Sequence, residues 1–94
     1  MPDGGEVRNN EARGRYEMVV DGALAVAQYK LDGDTIRFTH TIVPLEVEGR
    51  GVGSRLVLGA LEDARRRGLR VQPICPFVRY FMQKHSEYQD LLAA

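Results

Sequence analysis

Between residues 43 and 56 the chain changes its hydrophobic period. The stretch VPLEVEGRGVGSRL follows an apolar run, holds three glycines (Gly49, Gly51 and Gly53) and leads into a helical pattern. Val52, Leu56, Ala60 and Ala64 recur at a spacing of four, with Val57 and Leu61 beside them, which is the stripe of an amphipathic helix over residues 51–67. Arg65, Arg66 and Arg67 fall in its last turn, where cations suit the negative end of the helix dipole, and Gly68 is placed to end it. A short strand-like run, LRVQPI, follows at 69–74. Strand, loop, helix and strand make a crossover, so the runs 35–43 and 69–74 are expected to be parallel neighbours.

Upstream, RYEMVV, ALAVAQYKL and TIRFTHTIV are separated by Asp21-Gly22 and Asp32-Gly33, the pattern of an antiparallel meander with tight turns. Strict alternation along the third run puts Ile36, Phe38, His40 and Ile42 on one face and Arg37, Thr39, Thr41 and Val43 on the other. That first face is apolar except for His40. Pro44, which has no N–H to donate, ends the ladder. Residues 1–14 are polar and glycine-containing, which predicts a partly flexible start with a short strand at 6–8, ahead of a single domain over 15–94. After Cys75, FVRYFMQK reads as a second helix, with Pro76 at its first position and Cys75 as its N-cap. The expected class is α+β: a three- to four-stranded antiparallel meander, then a helix, a parallel strand and a C-terminal helix.

Composition excludes several classes of function. Thirteen Lys and Arg balance thirteen Asp and Glu, without the basic excess of a general nucleic-acid binder. No apolar run approaches the ~20 residues of a membrane span, and the opening residues lack the apolar core of a signal peptide, so a cytoplasmic protein with no membrane partner is expected. The single cysteine allows no internal disulfide, and His40 and His85 share no ligand spacing, so no metal site is expected.

A helix start exposes unpaired N–H groups and a positive dipole end, and glycines let an anion approach that backbone. The loop is therefore either an anion cradle or a plain tight turn, and its residues alone leave both open. No Lys-Ser or Lys-Thr follows the glycines as a P-loop requires, and the G-x-G-x-G spacing is not the dinucleotide-binding G-x-G-x-x-G.

TIVPLEVEGRGVGSRLV resembles the coenzyme A-binding strand, loop and helix of the GNAT acetyltransferase superfamily, V-x-P-x-x-[RQ]-G-x-G-[IV]-[GA]-x-x-L. His40-Thr41, CPFVRYF from Cys75 and HSEY from His85 are similar to the short, single-domain YjdJ-type members, and the resemblance covers residues 7–91. It implies an N-acetyltransferase using acetyl-CoA as co-substrate and a primary amine of an unidentified small molecule or protein as acceptor, in a monomer or weak dimer. The alternative is a non-catalytic CoA-binding or protein-interaction module. By the same resemblance, backbone N–H groups of Gly49, Arg50, Gly51, Val52, Gly53 and Ser54 hold the pyrophosphate, and the pantetheine arm lies between the strands ending at Val43 and Ile74, bonding the backbone near Ile42 and Val43. Tyr80 is a further candidate for contact with the cofactor. Arg50 and Arg55 are candidates for its phosphates, or simply solvated cations. Glu48 stands where the pattern has Arg or Gln, Phe81 where short members often have Tyr, and Ser86 where Pro is usual. Without the N-terminal helices and C-terminal hairpin of longer relatives, the acceptor side is expected to be open.

Two residues are candidates for chemistry. A helix N-cap lowers the pKa of a thiol, which makes Cys75 a possible nucleophile toward a thioester, the plain alternative being a small buried hydrophobe. His40 has the pKa range of a general base for an ammonium acceptor or for Cys75, the alternative being a satisfied core histidine. His85 and Tyr88 are expected to be structural.

Overall fold

The computed structural model describes residues 6–93. Five strands form one sheet in chain order: β1 (Arg8–Asn10), β2 (Arg15–Val20), β3 (Ala23–Asp32), β4 (Thr35–Ile42) and β5 (Arg70–Pro73). Neighbours from β1 to β4 are antiparallel, and β4 and β5 are parallel, joined through α1 (Val52–Arg66). Helix α2 (Pro76–Lys84) follows β5. This is the expected α+β arrangement, with the meander at four strands. The first strand sits at Arg8–Asn10, two residues later than expected, and residues 1–5 of the expected flexible start lie outside the described residues.

Both Asp-Gly sites form turns, but differently. Asp21 and Gly22 both take positive φ, as a type I′ hairpin turn requires. At the second site Asp32 still pairs with Thr35, so the turn is Gly33-Asp34; only its first residue is left-handed, the II′ signature. Helix α1 ends where expected: Leu69 N–H reaches back to the Ala64 carbonyl (2.9 Å) and Gly68 N–H to that of Arg65 (3.1 Å), which closes its last carbonyls.

Apart from Val26, the buried side chains of the strands lie on one side of the sheet. Tyr16, Met18 and Val20 of β2 pair with Ala27, Ala25 and Ala23 of β3. The alanines leave room for α1, whose Leu56, Val57, Ala60, Leu61 and Ala64 are buried over them. Ile36, Phe38 and Val71 continue the same face under α2, which buries Val78, Phe81 and Met82. The other face has no helix on it among the described residues, and Val19, Leu24 and Ile42 there are 41%, 39% and 50% exposed.

Alternation along β4 breaks at one place. Tyr29 opposes Phe38 but Gln28 opposes His40, so Thr39 is an extra residue on β4, a β-bulge. A one-residue shift moves every following side chain to the other face. His40 and Ile42, expected beside Ile36 and Phe38, lie instead on the uncovered face, and Thr41 turns to the helix side.

The C-terminal segment is tied down by polar contacts at the helix side. Tyr88, which is buried, donates its hydroxyl to Glu62 (2.5 Å), Arg65 forks onto Asp90 (2.9 and 3.0 Å), and the His85 ring stacks on Phe81 at 4.1 Å between centroids. Burial, then the bond to Glu62 and its charge, push the Tyr88 phenol up to about 12 from its usual 10.0. A phenol raised in the folded state supports the fold below its unfolded pKa and loses that support as pH climbs toward the folded value. Stability should therefore hold flat to about pH 10 and fall between about 10 and 12, and Tyr88→Phe should shallow that fall in urea midpoints measured across this range. An unchanged slope in the variant would remove Tyr88 from the alkaline transition.

Candidate functional site

The parallel ladder between β4 and β5 stops at a single atom. Phe38 pairs with Pro73, and the Phe38 carbonyl then accepts from both Ile74 N–H (3.0 Å) and Cys75 N–H (2.8 Å). Beyond it β4 runs on to Ile42 while the other chain turns into α2 at Pro76, so the two diverge and leave a V-shaped gap. Cys75 takes extended backbone angles (φ −64°, ψ 126°) and caps α2, with Pro76 at the first helical position.

The glycine loop closes the wide end of this gap. Gly49 and Gly51 take φ of 81° and 74°, and a Cβ at either would meet open space, so the loop backbone lies bare. Gly51 is the N-cap of α1 and offers no side chain to its first amides; the Gly51 carbonyl takes Arg55 N–H at 3.1 Å. A Cβ on Gly53 would lie 3.1 Å from the Phe77 ring and 3.5 Å from Val43, so this glycine brings α1 against α2 and the end of β4. The result is a cavity of about 420 Å³, lined by Thr41 and Val43 from β4 and its extension, by Val47, Glu48, Gly49, Gly51, Val52, Gly53 and Ser54 from the loop and α1, and by Phe77 from α2. Uncapped helix amides beside apolar walls fit an elongated ligand with an anionic group at one end.

Cys75 lies at the inner edge of this cavity through Thr41. Its Sγ is 3.4 Å from Thr41 Oγ1, and the residue is 5% exposed. Burial pushes its thiol up, but the Thr41 hydroxyl and the amides of Val78, Phe77 and Thr41 together outweigh it and hold the thiol below its usual range. The α2 amides act without forming a capping hydrogen bond to the sulfur, so the directional contact is that with Thr41.

The structure brings together most of the residues expected at a cofactor site and separates the rest. Val43, Gly49, Gly51, Val52, Gly53 and Ser54 all line the cavity. Arg50 points away to the first hairpin turn, where its Nη1 is 2.6 Å from the Asp21 carboxylate. Ile42 is half-exposed on the other face. Tyr80 is 57% exposed, outside the cavity lining, with Lys84 Nζ 5.4 Å from its ring centroid. His40 is exposed on the uncovered face, away from the side on which Thr41 meets Cys75, so it is not placed to take a proton from that thiol.

Three residues around the site carry no assigned role in the sequence reading, although Thr41 and Phe77 fall within its quoted motifs. Thr41 was assigned to the polar face of its strand; its pairing with Cys75 depends on the bulge. Phe77 enters the sequence reading only as part of CPFVRYF, although its place just after an N1 proline and next to a strand end is a usable signal. Asp21 was read only as a turn residue.

This geometry matches known proteins. The sequence profile of the family described as GCN5-related N-acetyl-transferase matches residues 15–91. The fold is similar to the solution NMR structure of a GCN5-like protein from Staphylococcus aureus named as a candidate N-acetyltransferase; the two are 30% identical, with a TM-score of 0.72 over 95% of this chain and 88% of that one. A profile covering nearly the whole described chain, on a sheet that splays beside a bare glycine loop, settles the kinship: this chain belongs to the GCN5-related N-acetyltransferase family.

Proposed function

We propose that the protein binds acetyl-CoA in the cavity at the start of α1 and transfers its acetyl group to a primary amine. The observation that carries this reading is the continuity of three features: the uncapped amides of α1, the gap between β4 and β5, and the Cys75–Thr41 contact at its inner edge. The loop amides from Gly49 to Ser54 would hold the pyrophosphate, with backbone donors in place of the side-chain cation that the pattern carries at Glu48. The β4 backbone beyond the end of β5, at Ile42 and Val43, is free of a strand partner on that side and would hold an extended arm.

Bound acetyl-CoA supplies an activated thioester. Cys75, favoured as thiolate by Thr41, attacks the acetyl carbon; a C–S bond forms to Sγ as the donor's C–S bond breaks, and the CoA thiolate leaves. The neutral amine then attacks the acetyl-Sγ carbonyl; a C–N bond forms, the nitrogen of the adduct gives up a proton, and the C–Sγ bond breaks as the Cys75 thiolate leaves, so that the product is the acetylated amide. His40, on the opposite side of the gap, is assigned to the acceptor amine and not to Cys75. A CoA-binding module without transfer is the competing reading, favoured by the uncovered acceptor face, and it predicts binding without an acetylated amine.

Titration calorimetry with acetyl-CoA tests the first step, and no heat at roughly millimolar ligand would sink the proposal. Because Glu48 lines the same cavity as the proposed pyrophosphate site, Glu48→Gln should tighten binding by roughly two- to fivefold at low salt, with the gain shrinking as salt rises. Weaker binding in that variant would mean that the carboxylate itself recognises the ligand. For the chemistry, intact-mass spectrometry should find an acetyl adduct that Cys75→Ala abolishes; turnover by the alanine variant at the native rate would leave direct attack by the amine. Thr41→Val removes the hydroxyl that favours the thiolate, so the pH midpoint of Cys75 alkylation by iodoacetamide should move up. A midpoint that stays in place would assign the lowered thiol to the backbone amides of Val78, Phe77 and Thr41 alone.

A further inference from the structure

The bulge at Thr39 gives the gap two different sides. The helix side holds the cavity, Thr41 and Cys75. The uncovered side presents His40 and Ile42 from β4, and Ile42 and Ile74 (50% and 40% exposed) flank the gap from its two strands. On that same uncovered face Arg37 sits next to where the gap begins, opposite Lys30 on β3 and Gln72 on β5.

The charges there are one-sided. Among the described residues, Lys30 and Arg37 form no ion pair, and Arg37 Nε is a buried side-chain nitrogen without a hydrogen-bond partner. The acid nearest the middle of the face, Glu17, is already engaged: Arg15 Nε lies 2.7 Å and Asn10 Nδ2 2.9 Å from the same carboxylate oxygen, and these bonds, Arg15 first, hold it below the usual carboxylate range. The nearest acid along β3, Asp32, is two residues beyond Lys30, at the far hairpin end. On this uncovered face, away from Glu48 on the cavity side, a polyamine or a lysine-rich tail would find no free carboxylate between Glu17 and Asp32 for its second charge. A carboxylate would find two cations.

We infer that the acceptor is a primary amine that carries a carboxylate, an amino acid or short acidic peptide with an apolar spacer, its amine in the gap beside His40 and its carboxylate on Arg37 and Lys30. The inference rests on the acetyl-CoA reading above and deepens it by naming the acceptor's chemical class. From Arg37 to His40 the strand rises about 7–10 Å, allowing for the bulge, which sets the distance between the two ends of the acceptor. Arg suits the far end because its planar fork binds a carboxylate through two parallel bonds.

The test uses three amines of matched length: 6-aminohexanoate, its neutral amide 6-aminohexanamide, and the dication 1,5-diaminopentane. Steady-state acetylation should give the acid the lowest KM, about tenfold below the amide, with the diamine weakest. Arg37→Met should raise the KM for 6-aminohexanoate about tenfold, leave its kcat and the KM of the amide in place, and leave acetyl-CoA binding unchanged. Calorimetric titration of 6-aminohexanoate into the CoA complex reads the same preference without turnover and should lose its heat in Arg37→Met. Acetyl-CoA binding together with equal KM values for acid and diamine, or a loss in Arg37→Met shared by all three amines, overturns this inference and leaves the proposed function standing. Absence of acetyl-CoA binding removes both.

Discussion

The site depends on one carbonyl. By accepting two successive amides, those of Ile74 and Cys75, the Phe38 oxygen ends the parallel ladder and turns the chain out of the sheet in the same step. Had β5 kept the register Thr35↔Arg70 through Phe38↔Pro73 for two more residues, the β4 backbone beyond the bulge would have been paired and the gap closed. Pro76 makes that continuation unavailable, since a proline has no N–H for the ladder and its fixed φ suits the first turn of a helix. The same turn fixes Cys75: its N–H is spent on Phe38, its carbonyl accepts Arg79 N–H at 3.0 Å, and its side chain is left facing Thr41. A cysteine held by its own backbone at both ends needs little reorganisation to present its sulfur.

The bulge at Thr39 does for β4 what the carbonyl does for β5. Without the extra residue, Thr41 would face away from α2 and His40 would be buried beside Phe38, where the core has no partner for an imidazole. With it, one strand serves two environments: its first half, Ile36 and Phe38, packs the core, and its second half places Thr41 on the helix side against Cys75 and His40 on the uncovered face. A bulge also strengthens local twist, which helps β4 diverge from β5 where the ladder ends. These two irregularities fall within a few residues of each other, and together they make a cleft out of a sheet that would otherwise be continuous.

Much of the fold was legible in the sequence because it follows from local rules. The shift from a period of two to one near four marked the crossover, Asp-Gly pairs marked the hairpins, and Gly68 behind three arginines marked the end of α1. The glycine loop was legible as the junction of strand and helix, while its three alternating glycines fit an anion cradle and a tight turn equally well. Apart from Phe77, what escaped had no local signal. Nothing in TIRFTHTI marks an extra residue: there is no glycine or proline in it, and alternation assigns His40 to the apolar face with full regularity. The first strand, Arg-Asn-Asn, is too short and polar to stand out; it forms because β2 offers it an edge, with Tyr29 donating to Asn9 at 2.6 Å. Arg50 was read as a phosphate ligand or a solvated cation, and its partner Asp21 lies 29 positions away, a separation that sequence spacing does not connect.

The balance of charge in the cavity explains why the loop is built from backbone. A cation at the position of Glu48 would attract an anionic ligand wherever it could reach, and a long side chain can follow it. Amides at the start of α1 and at Gly49 and Gly51 are fixed in place, and they are worth most where low-dielectric walls such as Val43, Val47 and Phe77 keep water from screening them. With Arg50 drawn off to Asp21 and Glu48 on the cavity wall, what the loop offers an anion is a set of fixed backbone donors and not net positive charge. Cys75 follows the same logic at the other end of the cavity. A thiolate with 5% exposure is opposed by desolvation, so the lowering of the Cys75 thiol rests on a few fixed dipoles, the Thr41 hydroxyl foremost. Both ends of the site thus depend on oriented neutral groups, which stay effective only while the bulge, the Phe38 carbonyl and the glycine backbone keep them aimed.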